Sequence, residues 1–408
     1  MSIFDRLLRR NRHDVVTTET RASSWDLLAS MGLPTLAGGY IAPAVIEGNA
    51  AAFNAITIIS EAVAALPLNV YRKDGDGVRN AEASHPVARL FGHAPNDLQT
   101  PTELVAMMQA NCLVHGAAYA EIERDGNGRP AALWPIHPGQ ISIERIPGTR
   151  RIRYQVSDEI GSRRLLPDEV FTLRDRWDCP FTPRSRLDRC REALGGSVAT
   201  ERFAQSIWRN GARLSGFVKH PEQIGPDAAR TLRDSLNALY GGAENAGKIG
   251  VLEEGSDWVP VSSTAHDAEL SEARRLAVLE VARIFNVPAP LLNELTNANY
   301  SNVVEMRRQF AAGTVQPWLV RWEEAIMRDL FSEAGRRSHE VEFDTDLLVR
   351  ADYLTRLQGY RIGRETGLYS ANDLRRFEHM NPRSDADADV FLSPMNMQSE
   401  QKAAPKEE

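Results

Sequence analysis

Apolar residues recur at steps of three and four over residues 51–66, where Ile56, Ile59, Val63 and Leu66 share one face. That spacing predicts a helix with a buried stripe, ended by Pro67. Residues 68–71 then alternate as a strand before the turn Asp74-Gly75-Asp76-Gly77. A short helix opened by Pro86 is predicted over 85–91, and a longer one over 103–115 with Thr102 as its cap. Residues 119–124, 132–136, 141–145, 152–156 and 170–174 carry strand patterns, some separated by Asp125-Gly126-Asn127-Gly128 and Pro147-Gly148. This half reads as α+β with an antiparallel meander.

A different organisation follows. Residues 183–210 make a strong helix with Leu187, Cys190, Leu194 and Val198 on one stripe, and Gly211 as terminator. A compact insert comes next: a strand at 216–219, a helix at 226–240 opened by Pro226, and a hairpin over 248–261 turning at Glu254-Gly255-Ser256-Asp257. It is too small to hold a core alone. Residues 267–285 are helical again, so two helices bracket the insert. The simplest geometry is an antiparallel pair with an α/β module at its tip.

The stretch 284–324, IFNVPAPLLNELTNANYSNVVEMRRQFAAGTVQPWLVRWEE, runs from a helix through a Pro-containing stop and an Asn-rich segment into another helix. As one helix, 302–331 would span about 45 Å. Pro317 removes an amide donor and presses its ring on the carbonyl of residue 313. Residue 313 is Gly, the type whose backbone yields most easily. The Gly313/Pro317 pair therefore predicts a kink within a continuous helix. Beyond it come a strand at 341–343, helices near 347–366 and 371–377, and a charged tail from Met397 expected to be disordered.

Composition narrows the classes. The chain has 408 residues, enough for two or three domains, with 42% hydrophobic and 25% charged residues as in ordinary globular proteins. No apolar run reaches the roughly 20 residues of a membrane span. The N-terminus MSIFDRLLRRNRHD lacks a secretory core, and residues 1–45 read as a flexible arm. Cys112, Cys179 and Cys190 lack paired spacing, as reduced thiols in a cytoplasmic setting do. The net charge of −7 excludes a general basic surface that grips nucleic acid. It is compatible with a device through which nucleic acid slides, where tight phosphate binding is a defect.

Candidate chemistry is sparse. The histidines have no i, i+4 pairing, so no metal site is assigned. Asp385-Ala386-Asp387-Ala388-Asp389 lacks the glycine and terminal glutamate of a calcium loop. There is no phosphate-binding G-x-x-x-x-G-K-[ST] and no convergent acid/base or nucleophilic set, so no catalytic or cofactor-binding residue is assigned.

Five blocks in order carry a resemblance: ITIISEAVAALPLNVY; HPVARLFGHAPND with PTELVAMM; HGAAYAEIERDGNGRPAALWPIHPGQISI; IFNVPAPLL…YSNVVEMRRQF…TVQPWLVRWEEAI; and GLYSANDLRRFEHMNP. With the helix–insert–helix unit between them, the chain resembles the portal proteins of tailed bacteriophages, siphovirus-like type, over roughly 49–395. It departs from them in having Gly116-Ala117-Ala118-Tyr119 where the family often has Gly-Asn-Ala-Tyr, and Thr172-Leu173-Arg174 without the usual histidine.

The resemblance implies a wing at 46–182, a stem helix at 183–212, a clip at 213–264 and a second stem helix at 265–287. It further implies a tunnel loop at 288–302, a long kinked helix and second wing part at 303–345, a helical crown at 346–395 and a disordered tail at 396–408. It implies no enzyme but a ring, a dodecamer, at one capsid vertex of the virion. Double-stranded DNA passes its channel, and the partners are the major capsid protein, the large terminase subunit that burns ATP, and a head–tail adaptor. Assembly would take place in the host bacterial cytoplasm. The competing readings are an adaptor or scaffold that assembles but passes no DNA, and an α+β enzyme with an unrecognised pocket.

Within the implied tunnel loop, the candidate DNA-facing residues are Asn293, Glu294, Thr296, Asn297, Asn299, Tyr300, Ser301 and Asn302. Short polar groups make brief, sequence-blind phosphate contacts and release few counterions. The same composition suits an ordinary surface turn. On the second stem helix, Arg274, Arg275 and Arg283 are channel-facing candidates, although Glu272 is spaced to pair with Arg275 along the helix.

Overall fold

The computed structural model describes residues 33–36, 40–74, 78–209, 216–221, 225–240, 255–260, 264–295, 300–345, 353–378 and 380–392. The chain divides into two compact units, Met1–Phe343 and Asp344–Glu408.

In the first unit the end of the expected flexible arm forms secondary structure. Strand β1 (Leu33–Pro34) pairs antiparallel with β2 (Tyr40–Ile41), and a short helix Pro43–Glu47 follows. Ile41 and Ile46 are buried, so hydrophobic anchoring brings the arm's end into the fold. Residues 1–32 lie outside the described residues.

Helix Ala50–Ala64 is capped by Asn49, whose side chain accepts from the Ala52 amide at 3.1 Å. The stripe of Ile56, Ile59, Val63 and Leu66 is buried, as its spacing predicts. Helix Pro101–His115 starts two residues earlier than expected. Its cap is Thr100, not Thr102: the Thr100 hydroxyl accepts from the Glu103 amide at 3.3 Å while the Glu103 carboxylate accepts from the Thr100 amide at 2.7 Å. Pro101 fixes this register because the first helical position has no use for an N–H.

The strands are shared among three antiparallel three-stranded sheets, one of which is a consecutive meander. Strand β3 (Leu68–Lys73) lies between β4 (Arg79–Ala81) and the distant β13 (His339–Phe343). Strand β5 (Ala117–Arg124) lies between β6 (Pro130–Ile136) and β10 (Val170–Arg174). The third sheet is β7 (Ile141–Arg145), β8 (Ile152–Asp158) and β9 (Gly161–Leu165). Strand β9 reads GSRRL and buries only Leu165, too little apolar alternation to register as a strand in sequence. Tyr119, Ile136, Tyr154, Val156, Leu165 and Val170 weld the second and third sheets into one core.

The expected helix over 183–210 is interrupted. A single turn, Arg186–Arg189, capped by Ser185, gives way at Cys190 to helix Arg191–Arg209. Helix Thr264–Phe285 lies alongside. Arg186 reaches the Ile284 carbonyl at one end and Glu201 meets Arg274 further along, so the two helices run antiparallel. In the insert, helix Pro226–Tyr240 forms as expected. Strand β11 (Gly216–Lys219) pairs antiparallel with β12 (Asp257–Pro260); the first half of the expected hairpin over 248–261 lies outside the described residues.

The long helix is continuous and changes pitch. Tyr300–Phe310 is α-helical, Ala311–Val315 is a π-turn, and Gln316–Asp329 is α-helical again. Trp318, Leu319, Trp322 and Ile326 bury its second half. The Trp322 indole donates to Gln109 Oε1 at 2.9 Å and contacts the rings of Phe91 and Phe171, locking this helix to Pro101–His115 and to β10.

In the second unit, helices Tyr353–Glu365 and Ala371–Phe377 meet through Tyr360, Tyr369 and Phe377. Ser370 and Asp373 form a reciprocal cap. Asn372 donates to the Arg383 carbonyl and to Asp389, and Asp385 pairs with Arg383, so two of the calcium-like carboxylates serve the local fold.

Candidate channel segment and its anchors

Helix Thr264–Phe285 ends in a tight reversal. Asn286 takes the left-handed conformation at φ 58°, the Val287 amide donates to the Ala282 carbonyl at 2.9 Å, and the Asn286 amide donates to Arg283 at 3.3 Å. This pair of bonds closes the carbonyls left open at a helix C-terminus, and Asn is the side-chain-bearing residue that best tolerates the backbone it needs. Val287 and Leu292 are buried, and a 3₁₀ turn, Ala289–Leu292, runs between them. A second left-handed residue, Asn293 at φ 63°, ends that turn, with the Glu294 amide donating to Ala289 at 3.2 Å. Among the described residues these two asparagines are the non-glycine positions at positive φ. Together they fix the path from the helix to Asn293, Glu294 and the exposed Leu295.

The remaining candidate residues are distributed as follows. Thr296, Asn297 and Asn299 lie outside the described residues. The backbone at Tyr300, Ser301 and Asn302 is already helical, so the loop ends before 302. Arg274 bridges to Glu201 of the facing helix at 3.3 Å, and Arg275 pairs with Glu272 at 2.5 Å on its own helix. The Glu272 hydrogen bond, helped by the charge of Glu294, raises the Arg275 pKa above its ordinary value. Arg283 is exposed in the last turn. Two of the three arginines are thus held by carboxylates, which lowers their grip on phosphate.

A contact with no sequence signature ties this segment to the long helix. Pro317 offers no N–H to the Gly313 carbonyl, and Asn286 Nδ2 donates to that carbonyl at 2.9 Å. The same amide group lies 3.3 Å from the Thr314 hydroxyl, which donates to the Asn286 carbonyl. Gly313 and Pro317 therefore sit within and just after a π-turn inside a continuous helix, a recognised cause of bending. A Cβ on Gly313 would meet only the Asn286 amide at 4.0 Å, so the glycine answers no steric need there.

A second anchor joins three segments on one carboxylate and reaches a fourth through Arg186. Asp175 is buried and accepts from Arg186 Nε at 2.7 Å and from Arg321 of the long helix at 2.8 Å. Arg186 also donates to the Ile284 carbonyl at 3.3 Å, and both guanidiniums lie over the Trp318 ring. Burial alone would raise the Asp175 pKa, but the hydrogen bond and charge of Arg186 outweigh it, and the net shift is downward. Close by, Gly116 at φ 82° accepts through its carbonyl from the Trp177 indole at 2.8 Å and the Asp175 amide at 3.1 Å. A Cβ there would lie 2.7 Å from the Arg184 backbone, so a glycine is required.

The fold and these anchors define a mechanical subunit: sheets and a long helix hold an antiparallel helical pair, and the pair delivers a short pinned segment. The family model for phage portal proteins matches residues 50–379, and the chain belongs to that family as a portal protein of a phage or phage-like particle. It is 25% identical over 404 residues to the probable portal protein of Streptomyces phage phiC31, covering 94% of this chain and 87% of that one. It is 26% identical over 358 residues to the portal protein of Enterobacteria phage HK97, covering 86% and 84%. Among solved structures it resembles a chain of the native gene transfer agent virion (TM-score 0.57, 25% identity, 83% of this chain and 92% of that one). It shares the fold of an HK97-family phage portal protein from Corynebacterium diphtheriae (TM-score 0.57, 20% identity, 75% and 96%).

Proposed function

We propose that the chain closes into a ring, a dodecamer in the particle, at one vertex of a phage-like capsid, and that double-stranded DNA is packaged and ejected through the ring. Its partners on this reading are further copies of itself, the major capsid protein, the large terminase subunit and a head–tail adaptor. It acts in the virion neck after assembly in the host cytoplasm, with no catalytic, cofactor or metal role. No helix among the described residues is long and apolar enough to cross a membrane. The observation that carries the reading is the family match across residues 50–379.

The channel chemistry supports it. On this reading the channel-facing residues run from the loop at 293 into the first helical turn at 300–302, where asparagine, serine, threonine and tyrosine groups touch phosphate weakly. The carboxylate partners of Arg274 and Arg275 keep the helical pair from becoming a cationic trap repeated around the ring. Replacing Asn297, Asn299 and Tyr300 together with alanine should leave rings assembled while packaged or retained DNA falls. Unaltered packaging would favour an adaptor that does not conduct DNA.

A further inference from the structure

We infer that Asn286 is a positioning residue for the channel segment, with its side chain standing in for the backbone donor that Pro317 lacks. The inference rests on the conduit reading for its consequence, but the latch itself does not. The Asn286 amide group donates to the Gly313 carbonyl at 2.9 Å, and the Thr314 hydroxyl donates back to the Asn286 carbonyl. Gly313 is four residues before Pro317, so its carbonyl is the one an unbroken α-helix would pair with residue 317. Asn286 itself occupies the left-handed position from which residues 287–295 depart. One residue thus sets the direction in which the chain leaves the helical pair and closes the irregular turn of the long helix. Thr314 is buried and Val315 fully so, which makes this turn a fixed support and not a frayed end.

The chemistry is specific. Glycine at 286 keeps the left-handed backbone and loses the donor. Aspartate keeps a similar shape and also cannot donate to a carbonyl. Both should leave the long helix and the segment 287–295 less tied to each other.

The test is a cycle of Asn286→Gly, Pro317→Ala and the double variant on the full chain, with Asn286→Asp and Thr314→Val alongside. Hydrogen–deuterium exchange is followed in peptides covering 287–295 and 311–316. Asn286→Gly should speed exchange about three- to tenfold in both peptides, the range for a lost, partly solvated hydrogen bond. Pro317→Ala restores a backbone N–H, so the same glycine substitution should then have a clearly smaller effect. Additive effects, or acceleration confined to the residues beside 286, would overturn the latch. DNA retained per assembled ring is measured on the same variants. Retention should fall for Asn286→Gly and recover in the double variant. A latch that loosens while retention holds would refute the positioning role, whereas the alanine triple variant at 297, 299 and 300 judges the conduit reading separately.

Discussion

Removing the buried carboxylate at the junction, with Asp175→Asn, tests whether the helical pair is fastened electrostatically to the rest of the subunit. Asp175 receives one bond from Arg186 Nε at 2.7 Å, a longer one from Arg186 at 3.3 Å, and one from Arg321 at 2.8 Å. Its side chain is only 2% exposed, while those of Arg186 and Arg321 are 22% and 35% exposed. Breaking one partner out of a fully buried pair costs about 3–5 kcal/mol. The two arginines keep part of their hydration here, so a loss of about 2–3 kcal/mol is expected. Removing Arg321 as well, as Arg321→Met in the Asp175→Asn background, should recover about 1 kcal/mol, because one cation no longer faces a neutral amide. Urea unfolding followed by tryptophan fluorescence is a direct assay, since Trp318 lies under both guanidiniums. The folded-state pKa of Asp175 is depressed, so its contribution is present at neutral pH and is lost only as pH falls below the ordinary carboxylate range. Parent and variant should therefore differ throughout pH 5–8. A change below about 0.5 kcal/mol would refute an electrostatic junction and leave Trp318 packing as the fastener.

Three further outcomes follow from single residues. Gly116→Ala should cost at least about 3 kcal/mol, since a left-handed alanine is strained and its Cβ meets the Arg184 backbone at 2.7 Å; calorimetry of the purified chain checks this. His115 has its pKa lowered from 6.5 to about 4, first by burial and then by His137, so the folded state resists its protonation. Its contribution is complete above pH 6.5 and fades toward pH 4, by at most about 3 kcal/mol; His115→Phe should flatten that part of a urea-midpoint profile. Thr100→Ala removes the cap of Pro101–His115 and should cost about 1 kcal/mol by the same assay.

Local periodicity made much of this fold legible. The stripe at Ile56, Ile59, Val63 and Leu66 and the helix Pro226–Tyr240 announce themselves because helical spacing and proline placement act within one turn. What was missed lies beyond one turn or below the pattern. Pro101 moved the cap to Thr100, and Cys190 interrupts an otherwise even apolar stripe. Strand β9 is held by β8 and not by its own polar residues. The segment from 284 to 324 was readable as helix, polar stretch and irregular helix. Its fastening was not, because Asn286 meets Gly313 across 27 residues and Asp175 meets Arg321 across 146. Of the candidate arginines, only the Glu272–Arg275 pairing was foreseeable from spacing; the Glu201–Arg274 bridge needs the two helices side by side.

On the conduit reading proposed above, the chain builds a ring with the pinned segment at the wall of its opening. Cryo-electron microscopy of the purified full chain, assembled and unassembled, addresses it directly. The expected result is a closed ring with a central opening wide enough for a DNA duplex, residues 293–295 facing that opening. A compact monomer under all assembly conditions, or a ring carrying 293–295 on its outer surface, would contradict it.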